Sequence, residues 1–357
     1  MARAKPARVV VITGASAGVG RATAVAFARE GASVALLARG AAGLQGARDQ
    51  VESSGGRALA IEVDVADADA VERAADRVEE ELGPIDIWVN NAMQSVLAPV
   101  ELTRADEYRR VTEVTYLGTV HGTLAALRRM RPRNSGVIIQ VGSALAYRSI
   151  PLQSAYCAAK HATVGFTDSL RSELIHQRSA VALCAVHLPA LNTPQFGWVR
   201  SRLPRKPQPV PPIYQPEVAA SAIVWAARNP RRELFVGGPT FKAILGNRIA
   251  PGFLDRLLAR QAWQGQQHDG LADPDRRDNF YSPQDEREDR GAHGTFGQRS
   301  RASSPALWLV KHRRGLLVGT VAVASAISIA ALMVSRPAVP ISPHRTAERP
   351  RLPATAY

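Results

Sequence analysis

The strongest constraint on this chain is a regular alternation. From about residue 8 to residue 240, short and nearly continuous apolar runs are separated by longer amphipathic stretches. Arg8–Thr13, Ser33–Ala38, Ala58–Val63, Ile85–Asn90, Gly136–Gly142, Ala180–Leu188 and Glu233–Val236 read as strands, because strands covered on both faces need apolar residues throughout. Between them, helical patterns run over roughly 18–30, 41–54, 67–82, 105–131, 154–178 and 216–229. Strand, helix, strand in repetition predicts a mostly parallel, doubly wound α/β sheet with helices on both faces, a Rossmann-like fold.

After Gly237 the pattern changes. Residues 241–263 read as a helical extension broken at Pro251-Gly252, and 264–310 as a flexible polar linker poor in aliphatics. Gly315–Val334 then runs for 20 residues without a charge. At about 1.5 Å per residue it would extend about 30 Å, a bilayer core. The basic cluster Lys311 to Arg314 precedes it, and 335–357 read as a disordered tail. The expectation is a single-pass C-terminal membrane anchor with the catalytic domain, residues 1–240, in the cytoplasm. A net charge of +14 would suit nucleic acid, but no helix carries a one-sided basic stripe interleaved with aromatics, so no nucleic-acid partner is expected. Two cysteines, Cys157 and Cys184, without metal-ligand spacing predict neither a disulfide framework nor a metal site.

Chemistry is concentrated at the ends of the strands. Gly14, Ser16, Gly18, Val19 and Gly20 lie where the first strand turns into the first helix. There, glycines let backbone N–H groups and the positive helix end approach a pyrophosphate. Tyr156 and Lys160 are four apart on a predicted helix and share a face. A phenol with a pKa of about 10 becomes a usable acid and base when a nearby ammonium stabilises its phenolate. Ser143 closes the preceding strand, where its hydroxyl can meet a substrate oxygen.

The spacing GxxxGxG, with Asp64-Val65, Asn90-Asn91-Ala92, Ser143, Tyr156-x-x-x-Lys160 and the stretch Pro189 to Thr193, resembles the short-chain dehydrogenase/reductase family over about residues 7–240. The resemblance implies the strand order 3-2-1-4-5-6-7 and a site at the carboxyl ends of the strands. Asp64 and Val65 would hold the adenine, Asn90 and Ala92 would line the ribose, and Pro189 and Thr193 would complete the cofactor site. Tyr156 would move the proton, Lys160 would tune it and hold the nicotinamide ribose, and Ser143 would position the reacting oxygen. NAD-preferring members carry an acidic residue at the end of the second strand. Here Ala38-Arg39 stands instead, and a guanidinium suits a 2′-phosphate, so NADP(H) is expected over NAD(H).

Three positions depart from the family. Thr115 stands at the usual asparagine of the proton relay, Met93 replaces the glycine ending the NNAG turn, and Ala190 replaces the glycine after Pro189. The expected function is interconversion of an alcohol and a carbonyl, on a lipid-soluble substrate if the anchor is real. The competing reading is a catalytically silent nucleotide-binding membrane protein, a redox sensor or scaffold. Leu191–Pro216 is the expected substrate cover, with Phe196, Trp198 and Tyr214 as candidate pocket aromatics, and a homodimer through the two long helices is expected from the resemblance.

Overall fold

The computed structural model describes residues 7–273 and 275–313. Seven strands make one sheet: β1 (Val9–Thr13), β2 (Ser33–Ala38), β3 (Arg57–Glu62), β4 (Ile85–Asn90), β5 (Val137–Ser143), β6 (Ala182–Leu188) and β7 (Glu233–Phe235). Every pairing is parallel, and the order is β3-β2-β1-β4-β5-β6-β7. The expected Rossmann-like topology is therefore observed. Every residue of β1 and β2 is buried, which explains why these strands read as unbroken apolar runs.

Helices α1 (Gly18–Ala28), α2 (Ala41–Ser53), α3 (Ala68–Leu82), α4 (Ala105–Val111), α5 (Gly118–Met130), α6 (Ser154–His176) and α7 (Pro216–Arg228) cover the sheet. Helix α1 packs with α2 and α7, while α3 packs with α5. One core layer joins strand residues such as Val11, Leu37 and Trp88 to Val71, Val78, Ala125, Met130 and Leu174 of α3, α5 and α6. Helix starts follow local rules: the Asp67 carboxylate accepts from the Ala70 amide at 2.9 Å, and Pro216 opens α7. The strand order reverses its course between β1 and β4, the place where an open α/β sheet leaves a crevice at the carboxyl ends of its strands.

The helical extension is present as α8 (Gly238–Ile249) and α9 (Pro251–Gly265), interrupted where Pro251 removes a backbone donor. Beyond α9 the sequence expectation is corrected. Residues 264–310, expected to be a flexible linker, are tied to the domain at several points. Gln267–Leu271 pairs antiparallel with Arg205–Pro207, and Ser300–Arg301 pairs with Ile213–Tyr214. Phe280 is fully buried among Val96, Val111, Ala155 and Ala159. The guanidinium of Arg200 lies 4.5 Å over the Phe280 ring and pairs with Asp278 at 2.8 Å. Low aliphatic content misleads here because isolated aromatic anchors, Phe280 and Phe296, and arginine-to-carbonyl bonds hold the segment, and neither registers as hydrophobic periodicity.

The membrane location is also corrected. Among the described residues, no helix is long and apolar enough to cross a membrane. The 315–334 run, expected to be a membrane-spanning helix, and the 335–357 tail lie outside the described residues. Absence of charge is a weak criterion for a span when Ala, Gly, Ser and Thr fill half the run, since small and hydroxyl residues add little transfer free energy.

Candidate active site

Two adjoining cavities open at the carboxyl ends of the strands. The first, of about 190 Å³, is lined by Gly14, Ser16, Gly18, Val19, Arg39, Asp64, Val65, Ala92 and Thr193 among the expected cofactor residues. Gly14 has φ +65°, and a Cβ there would come within 2.9 Å of the Ala92 Cα. The turn thus needs glycine both for its conformation and for the approach of the next loop. Gly20 does not line the cleft. A Cβ there would strike the Gly14 carbonyl, so its function is close packing of α1 on the turn. This backbone at the start of a helix, clear of side chains though the Gly18 amide donates to the Gly291 carbonyl at 3.2 Å, faces a crevice at the switch point of the sheet and fits a dinucleotide pyrophosphate.

At β4 the structure exchanges one asparagine for its neighbour. Asn90 is buried, accepts from Trp88 Nε1 at 2.8 Å, and donates to Thr123 Oγ1 and Gln140 Oε1, both at 3.0 Å. It lines neither cavity, so the expectation that Asn90 lines the ribose is corrected. Asn91 lines both cavities and donates to the Thr13 and Gly14 carbonyls. Alternation along a strand sends successive side chains to opposite faces, and Asn90 takes the face beneath α5.

Asp64 pairs with Arg110 and accepts from the Ala66 amide at 3.0 Å. Burial pushes its carboxyl up, but those hydrogen bonds and the nearby cations outweigh burial and hold it below the ordinary carboxylate range.

The second cavity, of about 290 Å³, holds Ser143, Tyr156, Lys160 and Pro189 on its wall. It meets the first at Val19, Asn91, Met93, Thr193 and Gln195. The Tyr156 and Ser143 side chains share that wall, and Ser143 Oγ accepts from the Leu145 amide at 3.1 Å. Lys160 Nζ donates to the Val141 carbonyl at 2.7 Å and lies 5.7 Å from the centre of the Tyr156 ring. Burial pushes the Tyr156 phenol above its ordinary value, with the neighbouring Ser143 hydroxyl working against that rise. Burial also brings the Lys160 ammonium down to about 8. The expected lowering of Tyr156 by Lys160 is therefore not met in this state: burial raises the phenol, and the ammonium spends its hydrogen bond on the Val141 carbonyl.

Thr115 lies in a π-helical turn, Thr112–Leu117, between α4 and α5. Its hydroxyl accepts from the Gln94 amide at 2.8 Å and donates to the Gln94 carbonyl at 3.0 Å, while its own carbonyl accepts from Thr119 Oγ1. It lines neither cavity, so the structure does not bring it to the reacting groups. Met93 stands at the junction of the two cavities, and Ala190 lines the second. Of the aromatics, Phe196 lines the second cavity, Trp198 lines the first, and Tyr214 is buried in its strand pair away from both.

Sequence reasoning missed the walls supplied from the end of the chain. Leu258 and Ala262 of α9 close the second cavity, and Asn279, Pro283 and Asp285 border the first.

The family model for short chain dehydrogenase matches residues 8–202. The chain belongs to the short-chain dehydrogenase family. It is 31% identical over 288 residues to the uncharacterized oxidoreductase YxnA of Bacillus subtilis, spanning 80% of this chain and 81% of that protein. It is also 32% identical over 259 residues to the uncharacterized oxidoreductase Rv1543 of Mycobacterium tuberculosis, spanning 71% and 73%. The protein is accordingly an NAD(P)-dependent oxidoreductase of this family.

Proposed function

We propose that the protein interconverts an alcohol and a carbonyl on a lipophilic substrate, with Tyr156 as the acid and base. The observation that carries this reading is the common wall of Ser143, Tyr156 and Lys160, which faces a cavity continuous with the glycine-turn cleft. Gly14, Ser16, Gly18, Val19, Ala92 and Thr193 would hold the dinucleotide, with Asp64 and Val65 beside the adenine. When bound, the nicotinamide supplies or accepts the hydride. The Ser143 hydroxyl donates to the substrate oxygen and aligns it with the Tyr156 hydroxyl. In reduction Tyr156 gives its proton to that oxygen; in oxidation it takes the proton away.

Burial keeps the phenol in its protonated form, which reduction uses, whereas oxidation needs its phenolate. Oxidation by the same residues therefore gains with rising pH. Lys160, partly neutral near pH 8, is charged below that pH and would stay fully charged above it only where a partner offsets its burial. Leu145, Ile150, Leu191, Phe196, Val210 and Leu258 on the cavity wall favour an apolar substrate body.

The sequence expectation of NADP(H) rests on Arg39 meeting a 2′-phosphate. Arg39 does line the cleft, but its guanidinium donates to the Asn279, Phe280 and Tyr281 carbonyls.

Tyr156→Phe tests the mechanism. Turnover on a carbonyl panel should fall by about a thousandfold, while the dissociation constant of the reduced dinucleotide stays within about twofold. Unchanged turnover would sink the assignment of Tyr156. Dinucleotide binding without any turnover by the wild type would favour the silent sensor instead.

A further inference from the structure

Residues 278–296 cross the mouth of the nucleotide cleft as a strap, touching the elements that hold a dinucleotide. The Gly18 amide, at the start of α1, donates to the Gly291 carbonyl at 3.2 Å. The amides of Ala42 and Gly43, at the start of α2, donate to the Glu286 and Asp285 carbonyls at 3.2 and 2.9 Å. Gln94 Nε2 donates to the Asn279 and Phe280 carbonyls at 2.8 and 3.1 Å. Arg21 pairs with Asp289 and donates through Nε to Gln50 at 2.8 Å. The cleft stays open beneath the strap, since Asn279, Pro283 and Asp285 form its wall.

One strap residue brings a charge to a place where charge decides cofactor choice. Asp285 is 5% exposed and lines the cleft together with Gly14, Ala38, Arg39 and Asp64. Its carboxylate fills the space that a Cβ would take at Gly40 and Gly43, just after β2. Asp289 does the same at Gly46. Three glycines at intervals of three, along the face of α2 that receives the strap, weaken a helix unless something else needs the room. The room is taken by these carboxylates.

Arg39, the residue that would favour a 2′-phosphate, is committed. Nη1 donates to Tyr281 O at 3.0 Å and Phe280 O at 3.4 Å, and Nη2 donates to Asn279 O at 2.5 Å. Burial lowers its ordinary value, opposed by the Asp64 and Asp285 carboxylates and reinforced by Arg110.

We propose that Asp285 is a cofactor-selecting residue: it supplies, from the far end of the chain, the carboxylate that β2 lacks, and so makes the enzyme prefer NAD(H). In that position a carboxylate accepts from ribose hydroxyls and repels a 2′-phosphate. The guanidinium next to it braces the strap and leaves the 2′ position to Asp285. This assignment rests on the oxidoreductase reading above, because it presupposes that the cleft holds a dinucleotide.

The test is equilibrium binding, read as energy transfer from tryptophan to the reduced nicotinamide, with Trp198 on the cleft wall as a built-in donor. For the wild-type full chain, NADH should bind about tenfold more tightly than NADPH. In Asp285→Asn, which keeps the shape and removes the charge, the preference should shrink to about twofold or less. Gly43→Ala fills the notch from the other side and should shift the ratio in the same direction, so a misfolded Asp285 variant leaves the question answerable. Tighter NADPH binding by the wild type, or an unchanged ratio in both variants, overturns the selection by Asp285 while leaving the oxidoreductase reading intact. Binding of neither dinucleotide overturns both.

Discussion

The sheet and the strap are held by opposite means, although both border the same cleft. β1 and β2 are apolar from end to end and are covered on both faces. The strap is anchored at a few isolated apolar points, Phe280, Phe296 and Ala292, and is otherwise tied by arginine and Gln94 side chains and main-chain hydrogen bonds. Burial of apolar area is non-directional and leaves its mark in the sequence as a period. Bonds from a guanidinium to carbonyls leave no period, because any residue offers the same carbonyl. The nucleotide cleft therefore has one wall that the sequence makes legible and one that it does not.

Arg39→Ala should expose this difference most. Losing its bonds to the Asn279, Phe280 and Tyr281 carbonyls removes about 4 kcal/mol from strap docking, or roughly a thousandfold in local opening. Amide exchange should speed up across 279–294 while β1 and β2 stay protected. Equal acceleration in the sheet would show that the two regions are one cooperative unit.

Asn90→Ala should act on the sheet alone. It strips partners from Trp88, Thr123 and Gln140 in the buried layer and should cost about 3 kcal/mol of global stability in denaturant melts. Dinucleotide affinity should hold within about twofold, whereas Asn91→Ala should weaken it by about tenfold. The reverse pattern would restore Asn90 to the cofactor site.

A smaller effect concerns Lys160. Its folded value, near 8, lies below the unfolded 10.5. The unfolded chain therefore binds more protons between those values, and stability should climb as pH rises from about 8 to about 10.5. Below that window the full penalty of the buried charge applies. Lys160→Met should raise stability at pH 7 by about 2 kcal/mol, after the lost bond to Val141, and should flatten this climb. A climb that persists in Lys160→Met would assign it to another group.

Apolar runs and glycine spacing, read in the sequence alone, determined the seven strands, the glycine turn, and the helix that carries Tyr156 and Lys160, while the order of the strands in the sheet followed from the family resemblance. These are local or periodic properties, so a linear string can hold them. Which of two adjacent asparagines faces the cleft depended on how β4 met α5, and the closing of Thr115 onto Gln94 depended on a π turn. Order in residues 264–310 depended on arginines bonding to carbonyls more than sixty residues away in the sequence, which only the folded chain brings together. The charge beside Arg39 belongs to the same class: Asp285 lies 240 residues and more from β2, and only the tertiary structure brings it next to Gly40.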